Sequence, residues 1–235
     1  MIPQLPLALR WPRRQRFDHF HPGANAAALA AVQAVARDAG APWVYLCGPA
    51  GSGKSHLLMA ACQAASEAGC TVQYLPLAKL GDRATALRGV AGSALLALDD
   101  LGAIAGDREA EHALFDLYNR AKAEGAALLF AAEAMPAQLG LGLPDLRSRL
   151  GACTHFALKP LDDGERRDVL KRQAAARGIE LDDTVLDWLF ARYARDLDAL
   201  LDLLDRLDRA SLAAQRRITV PFLRGFLRET ESSAP

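Results

Sequence analysis

No sign of charge prevails in this chain. Lysines and arginines number 28, aspartates and glutamates 28, so the formal net charge at neutral pH is zero. That balance argues against a protein whose main task is sequence-independent grip on nucleic acid, because neutralising phosphates needs a basic surface. It leaves a local basic patch open. Cysteine is scarce: Cys47, Cys62, Cys70 and Cys153, with no CxxC pair among them. These read as buried small apolar residues in a reducing cytoplasm, not as a disulfide frame or a zinc site. The five histidines are scattered. His19 and His21 are close, but no third or fourth ligand stands near them, which leaves no metal site there. A membrane-spanning run is missing too. The apolar opening, M-I-P-Q-L-P-L-A-L, is broken by Pro3 and Pro6 and followed at once by R-W-P-R-R-Q-R. The prolines bar a helix, and charges arrive too soon for a span of about 20 apolar residues. The basic residues follow the apolar ones instead of preceding them, so the stretch reads as a poor secretory signal. Internal repeats are absent as well.

What is present is an ordinary globular composition over 235 residues, 51% hydrophobic and 24% charged, enough for a sizeable core and one or two domains. Five apolar runs of strand length recur: PWVYLC (42–47), CTVQYLP (70–76), ALLAL (94–98), AALLFAA (126–132) and THFAL (154–158). Helical patterns lie between them. The clearest covers roughly 107–124, with Ala110, Ala113, Leu114, Leu117, Tyr118 and Ala121 on one face. Near-continuous apolar strands separated by helices predict an α/β fold with a five-stranded parallel sheet covered on both sides. Beyond Pro160 no strand-like run follows. Asp162 with Glu165 makes a capping box, the stretch 184–195 alternates as a helix does, and Leu197, Leu200, Leu201, Leu204, Leu207 and Leu212 form a long stripe. Thr219 and Pro221 open a last short helix ending near Glu229. The expected organisation is therefore an extended tail and basic linker over 1–16, an α/β nucleotide-binding domain over 17–160, a small helical domain over 161–229 and a disordered end over 230–235.

The strongest chemical signal is G-P-A-G-S-G-K-S, Gly48 to Ser55. It fits G-x-x-x-x-G-K-[ST] in full, directly after a predicted strand and before a predicted helix, His56 to Ala68. The glycines let backbone N–H groups turn inward around phosphate oxygens, and the helix N-terminus adds partial positive charge. Pro49, Ala50, Gly51, Ser52, Gly53, Lys54, Ser55 and His56 are thus the candidate nucleotide contacts. Lys54 reaches for the β- and γ-phosphates, and the Ser55 hydroxyl for Mg²⁺. The run A-L-L-A-L-D-D supplies the metal-side acids: Asp99 to bind Mg²⁺ through water, Asp100 to orient an attacking water. These motifs define a nucleotide-binding module without saying what it does.

Upstream stands F-D-H-F-H-P-G-A-N, Phe17 to Asn25. This F-x-x-F-x-x-G-x-N entry resembles that of the AAA+ domain of the bacterial replication initiator DnaA. The resemblance continues through the phosphate loop, the L-D-D run, F-D-L-Y-N (115–119), G-L-P-D-L-R-S-R-L (142–150) and R-D-L-D (195–198), and so spans roughly residues 17 to 228. It implies an AAA+ domain followed by a helical lid. It also implies an arginine finger at Arg149, acting on a neighbouring subunit's nucleotide, and a second sensor arginine at Arg195, reaching from the lid toward the phosphates. Two positions depart from the family pattern. Glu133 stands where a small polar sensor is usual, and Arg192 where a glycine commonly precedes the second sensor arginine. Both point to weak intrinsic ATPase activity at most, while leaving a resting ADP or ATP open.

The DNA-binding helix-turn-helix domain that follows the initiator's lid has no counterpart here; the chain ends about a turn past the last lid helix. The initiator's own N-terminal domains are missing too. In their place, Gln4-Leu5-Pro6-Leu7-Ala8-Leu9 resembles the glutamine-plus-leucine peptides with which bacterial replication proteins dock on the DNA polymerase III β sliding clamp. An extended segment presents alternate side chains to one side, so Leu5, Leu7 and Leu9 enter an apolar pocket while Gln4 supplies a directional hydrogen bond. The prolines lower the ordering cost on binding. The run Arg10, Arg13, Arg14 and Arg16 reads as a solvated linker in preference to a DNA contact. The resemblance therefore implies a cytoplasmic negative regulator of replication initiation. Its partners are the initiator, the clamp and, through the clamp, DNA; it leaves self-association open and gives no role to a membrane. The competing readings are a helicase loader, a small-molecule kinase and a self-sufficient DnaA-like ATPase.

Overall fold

The computed structural model describes residues 15–192, 197–214 and 219–232, and divides into two compact units, residues 1–160 and 161–235. The first unit is built on five strands: β1 (Val44–Cys47), β2 (Val72–Pro76), β3 (Leu95–Asp99), β4 (Ala127–Ala132) and β5 (Thr154–Ala157). They form one sheet in the order β2-β3-β4-β1-β5, every pairing parallel. Four strands fall within the apolar runs read from the sequence, one or two residues shorter at an end, and β3 is shifted by one residue so that it closes on Asp99. The three central strands β1, β3 and β4 are buried at every position, while the edge strands β2 and β5 are partly exposed. This is the burial that a sheet covered on both faces requires.

Alternate residues of the central strands feed two separate cores. Val44, Leu46, Leu95, Ala97, Leu129 and Ala131 pack under α1 (Ala26–Arg37) and α2 (Lys54–Glu67). Tyr45, Cys47, Leu96, Leu98, Leu128 and Phe130 pack under α3 (Arg83–Arg88), α4 (Arg108–Glu124) and α5 (Pro144–Gly151). The period-2 alternation of a strand sends each set to its own face. The apolar stripe on α4 (Ala110, Ala113, Leu114, Leu117, Tyr118 and Ala121) is buried as its spacing predicts.

The second unit is all helical: α6 (Asp163–Ala175), α7 (Asp183–Arg192), α8 (Leu197–Ala214) and α9 (Val220–Ser232). Asp162 accepts from Glu165 N and Glu165 returns a bond to Asp162 N, closing the capping box. Leu170, Ala174, Leu186, Leu189, Leu200, Leu204, Leu207 and Leu223 make its core. Two ion pairs, Arg167–Asp187 at 2.5 Å and Lys171–Asp183 at 2.8 Å, tie its helices from outside, and a third, Arg177–Asp205 at 2.8 Å, is half-buried.

One reading needs correction. Cys47, Cys62 and Cys153 are buried, but Cys70 is exposed. It sits just past the turn at Gly69, whose φ is +85°, on the way out of α2 and into the edge strand β2, where no second layer covers it.

Candidate functional site

The phosphate loop leaves the C-terminal end of the central strand β1 and runs straight into α2. Three glycines shape it. Gly51 and Gly53 have φ of +73° and +91°, the left-handed region that a side chain disfavours. At Gly48, φ is +152° and an added Cβ would lie 2.6 Å from the Leu158 carbonyl oxygen. The loop is therefore pressed against the chain leaving β5. Leu57 N donates to Gly53 O at 3.0 Å, the first helical bond of α2. The N–H groups of Lys54, Ser55 and His56 precede that bond and have no helical acceptor, so they form the anion-facing end of the helix. Ser52 is buried and its Oγ has no hydrogen-bond partner. Such a cradle of inward N–H groups and a buried unpartnered hydroxyl fits a phosphate group.

Lys54 is also buried. Its Nζ donates to the carbonyls of Gly48 at 2.7 Å and Pro49 at 2.9 Å, which holds the ammonium over its own loop. Desolvation lowers its pKa, opposed by the charges of Asp99, Glu133 and Asp100. Those acids gather because of strand order. β4 lies between β1 and β3, so Glu133, the residue after β4, stands between the phosphate loop and the acids that end β3. Asp99 is 1% exposed; it accepts from Tyr74 Oη at 2.7 Å and from Asp100 N at 3.0 Å. Tyr74 also lies beside Ser55, and burial beside Asp99 pushes its phenol far up. Ser55, Tyr74 and Asp99 thus form one polar cluster, an oxygen donor set suited to Mg²⁺. Asp100 has φ +57°, the one non-glycine residue in the left-handed region among those described. Desolvation and the neighbouring Asp99 raise its pKa, against Lys54 and Lys79. A strained, partly desolvated acid beside a phosphate loop is a combination concentrated at functional sites.

His56, read from the sequence as a nucleotide contact, directs its ring elsewhere. Its Nε2 lies 2.9 Å from Arg16 O, and the ring meets Phe20 edge-on at 5.4 Å. Phe20 in turn caps the loop: a Cβ on Gly53 would sit 2.7 Å from Phe20 Cε2. The other end of the entry motif is a clamp on β5. Asn25 donates to Lys159 O at 2.8 Å and accepts from Lys159 N at 2.9 Å. Phe20, Asn25 and Tyr74 were not read as site residues from sequence, because their partners, Gly53, Lys159 and Asp99, stand at least 25 residues away in the chain.

Arg149 lies in the last turn of α5, on the sheet face opposite α2. Its guanidinium carbon is 5.9 Å from the ring centre of Phe115 and 5.7 Å from that of Tyr118, both on α4. Its carbonyl accepts from Tyr118 Oη at 3.3 Å. Arg192 stacks over Trp188 of its own helix at 4.8 Å. Arg195, and the clamp-docking residues Gln4, Leu5, Leu7 and Leu9, lie outside the described residues. No helix among those described is long and apolar enough to cross a membrane, and no group of three or more His, Cys, Asp or Glu among them is placed to hold a metal ion by itself.

The sheet order, the loop after the central strand and the acids ending its second neighbour define a P-loop AAA+ module followed by a helical lid. Residues 12–156 match the family model described as the bacterial DnaA ATPase domain, and residues 163–227 match that of the Hda lid domain. The chain belongs to the DnaA-related AAA+ family and is Hda-like. Among solved structures, domain III of the replication initiation protein DnaA from Thermotoga maritima is 20% identical, with a TM-score of 0.72 over 93% of this chain and 98% of that one. AMPPCP-bound DnaA from Aquifex aeolicus is 21% identical, with a TM-score of 0.67 over 83% of this chain and 66% of that one. The RuvB Holliday junction branch migration motor of T. maritima is 18% identical, with a TM-score of 0.63 over 93% of this chain and 72% of that one. At these identities the structural likeness speaks for the fold.

Proposed function

We propose that this protein is a negative regulator of replication initiation that promotes hydrolysis of ATP held by the initiator DnaA, supplying Arg149 as a finger in trans. The observation that carries the reading is the placement of Arg149. It is held on α5 over the aromatic rings of α4, in the layer of the fold opposite the helix that leaves the phosphate loop. An arginine in that layer is available to a neighbouring molecule's nucleotide. The match of 163–227 to the Hda lid supports the regulator over the initiator itself.

The chain's own site binds adenine nucleotide, ADP or ATP, through residues 49–56, with Ser55 and Asp99 holding Mg²⁺. Bound Mg²⁺ would neutralise charge between phosphate oxygens. Lys54 exchanges its two carbonyl partners for phosphate, and Asp100 orients water. With Glu133 in the sensor position, hydrolysis at this site is weak, and the nucleotide serves to set the shape of the module. The family resemblance gives Arg195 the part of second sensor. Gln4, Leu5, Leu7 and Leu9 dock on the sliding clamp, which brings the chain to DNA. A finger supplied in trans accelerates comparable phosphoryl transfers by roughly 10³–10⁵, so a single side chain suffices to switch a nearly inert ATPase on.

The test is a reconstitution with loaded clamp, DNA and ATP-bound DnaA. Hydrolysis is expected to need every component, to collapse with Arg149→Ala, and to collapse with Gln4→Ala plus Leu7→Ala. Full activity in the Arg149 variant removes the finger; indifference to the tail variant removes clamp docking. High turnover by the purified chain alone favours a self-sufficient ATPase instead.

A further inference from the structure

One face of α4 carries Glu111, Phe115 and Tyr118, spaced i, i+4 and i+7 and therefore aligned along the helix. All three act on the segment that bears Arg149. Glu111 is a carboxyl-bearing side chain only 2% exposed, deep in a protein interior where such groups persist only when fully hydrogen-bonded. It accepts from Gly142 N at 3.0 Å and Gly106 N at 2.9 Å through Oε1, and from Leu143 N at 2.7 Å through Oε2. Leu143 is the N-cap of α5 and has no side-chain cap of its own, and Pro144 begins the helix. Glu111 is therefore a cap supplied from another helix, 32 residues away in sequence, and it sets a negative side chain at the positive end of α5. At the other end of α5, Tyr118 Oη donates to Arg149 O, while its ring and that of Phe115 lie beneath the guanidinium.

We propose that Glu111, with Tyr118, is a positioning residue: the two fix α5 at both ends so that Arg149 is presented in a single orientation. The proposal rests on Arg149 acting in trans, as set out above. About 9 Å of helix separates Leu143 from Arg149 at 1.5 Å per residue. A tilt of about 10° at the capped end thus displaces the arginine by about 1.5 Å, and misplacement by about 1 Å is enough to cost up to 100-fold in rate.

The test uses the full chain with Glu111→Gln, which keeps the shape and one acceptor but turns an N–H donor toward a backbone N–H. Three readouts are taken. In the free protein, the Arg149 Nε–H resonance is expected to lose the ring-current shift imposed by Phe115 and Tyr118, and amide exchange at Gly142 and Leu143 is expected to rise. In the reconstitution, kcat for hydrolysis by ATP-bound DnaA is expected to fall about tenfold, with the half-saturating concentration of the chain within about twofold of wild type. A role confined to fold stability would lower the melting temperature without that split. An unmoved Arg149 resonance, or a kcat within twofold of wild type, overturns the proposal even if Arg149→Ala abolishes activity. Arg149→Ala with full activity overturns the trans finger instead, and the resonance of the Glu111 variant then still decides whether the carboxyl orients the arginine. If Glu111→Gln does not fold, Tyr118→Phe decides alone. It removes a single hydroxyl; a shifted Arg149 resonance with reduced kcat supports the proposal, and wild-type values of both overturn it.

Discussion

Replacing Asn25 with alanine should loosen the phosphate loop from a distance. Asn25 is 5% exposed, and its amide makes both hydrogen bonds that the Lys159 main chain offers it, N–H and C=O, at 2.9 and 2.8 Å. The preceding residue, Leu158, donates to Cys47 O at 2.7 Å, and its carbonyl forms the wall against which Gly48 packs. The amide thus pins the segment that supports the loop. Losing both bonds while leaving their main-chain partners unpaired costs about 2 kcal/mol, at roughly 1 kcal/mol per bond. For a domain of this size that is a fall of about 4–8 °C in melting temperature. Asn25→Asp should cost at least as much, because it retains the acceptor for Lys159 N but sets a second oxygen against Lys159 O. The assay is denaturant unfolding of the nucleotide-free and ADP-saturated protein, with titration of a fluorescent ADP analogue. The expected result is a lower midpoint together with weaker nucleotide binding, since part of the binding energy now re-forms the loop. A loss under about 0.5 kcal/mol, within the ordinary range for surface substitutions, with unchanged nucleotide affinity, would refute the reasoning.

Three further outcomes follow from the geometry. The raised pKa of Asp100, caused by desolvation and then by Asp99, means the folded protein holds this proton more tightly than the unfolded chain does; the associated stability is present below about pH 3.8 and is lost as pH rises through the folded value. Asp100→Asn, which keeps the left-handed backbone affordable, should therefore raise the urea midpoint of the nucleotide-free protein at pH 7, with the gain closing as pH falls toward 3.8; an equal gain at all pH values would count against it. Gly48→Ala should abolish nucleotide binding and destabilise the fold, because its Cβ would meet the Leu158 carbonyl oxygen at 2.6 Å and backbone cannot yield there cheaply; a crystal structure with an unmoved loop would show the reasoning wrong. A thiol reagent should label one cysteine per folded chain, Cys70, and all four after unfolding, since burial pushes the thiols of Cys62 and Cys153 up to about 12; rapid labelling of two or more in the native state would contradict the burial.

The five strands, the loop after β1, the stripe on α4 and the capping box at Asp162 are all written locally. Each depends on a period of 2 or 3.6, or on residue types within a few positions of one another, so the chain itself determined them. The same holds for the acids at the end of β3, whereas Arg149 was singled out by the family resemblance of its motif and not by any local period. What lay beyond the sequence was every pairing across distance. The order β2-β3-β4-β1-β5 is set by how crossovers pack and not by any one strand, and it alone brings Glu133 between Lys54 and Asp100. Tyr74 joined the site because β2 is the neighbour of β3. Asn25 proved to be a clamp on the chain leaving β5, and Glu111 proved to be the cap of a helix 32 residues further on. Those side chains look like ordinary polar residues in a linear reading, since a hydrogen bond's partner is chosen by proximity in space, and only the packed sheet and its two helical layers decide who the neighbours are.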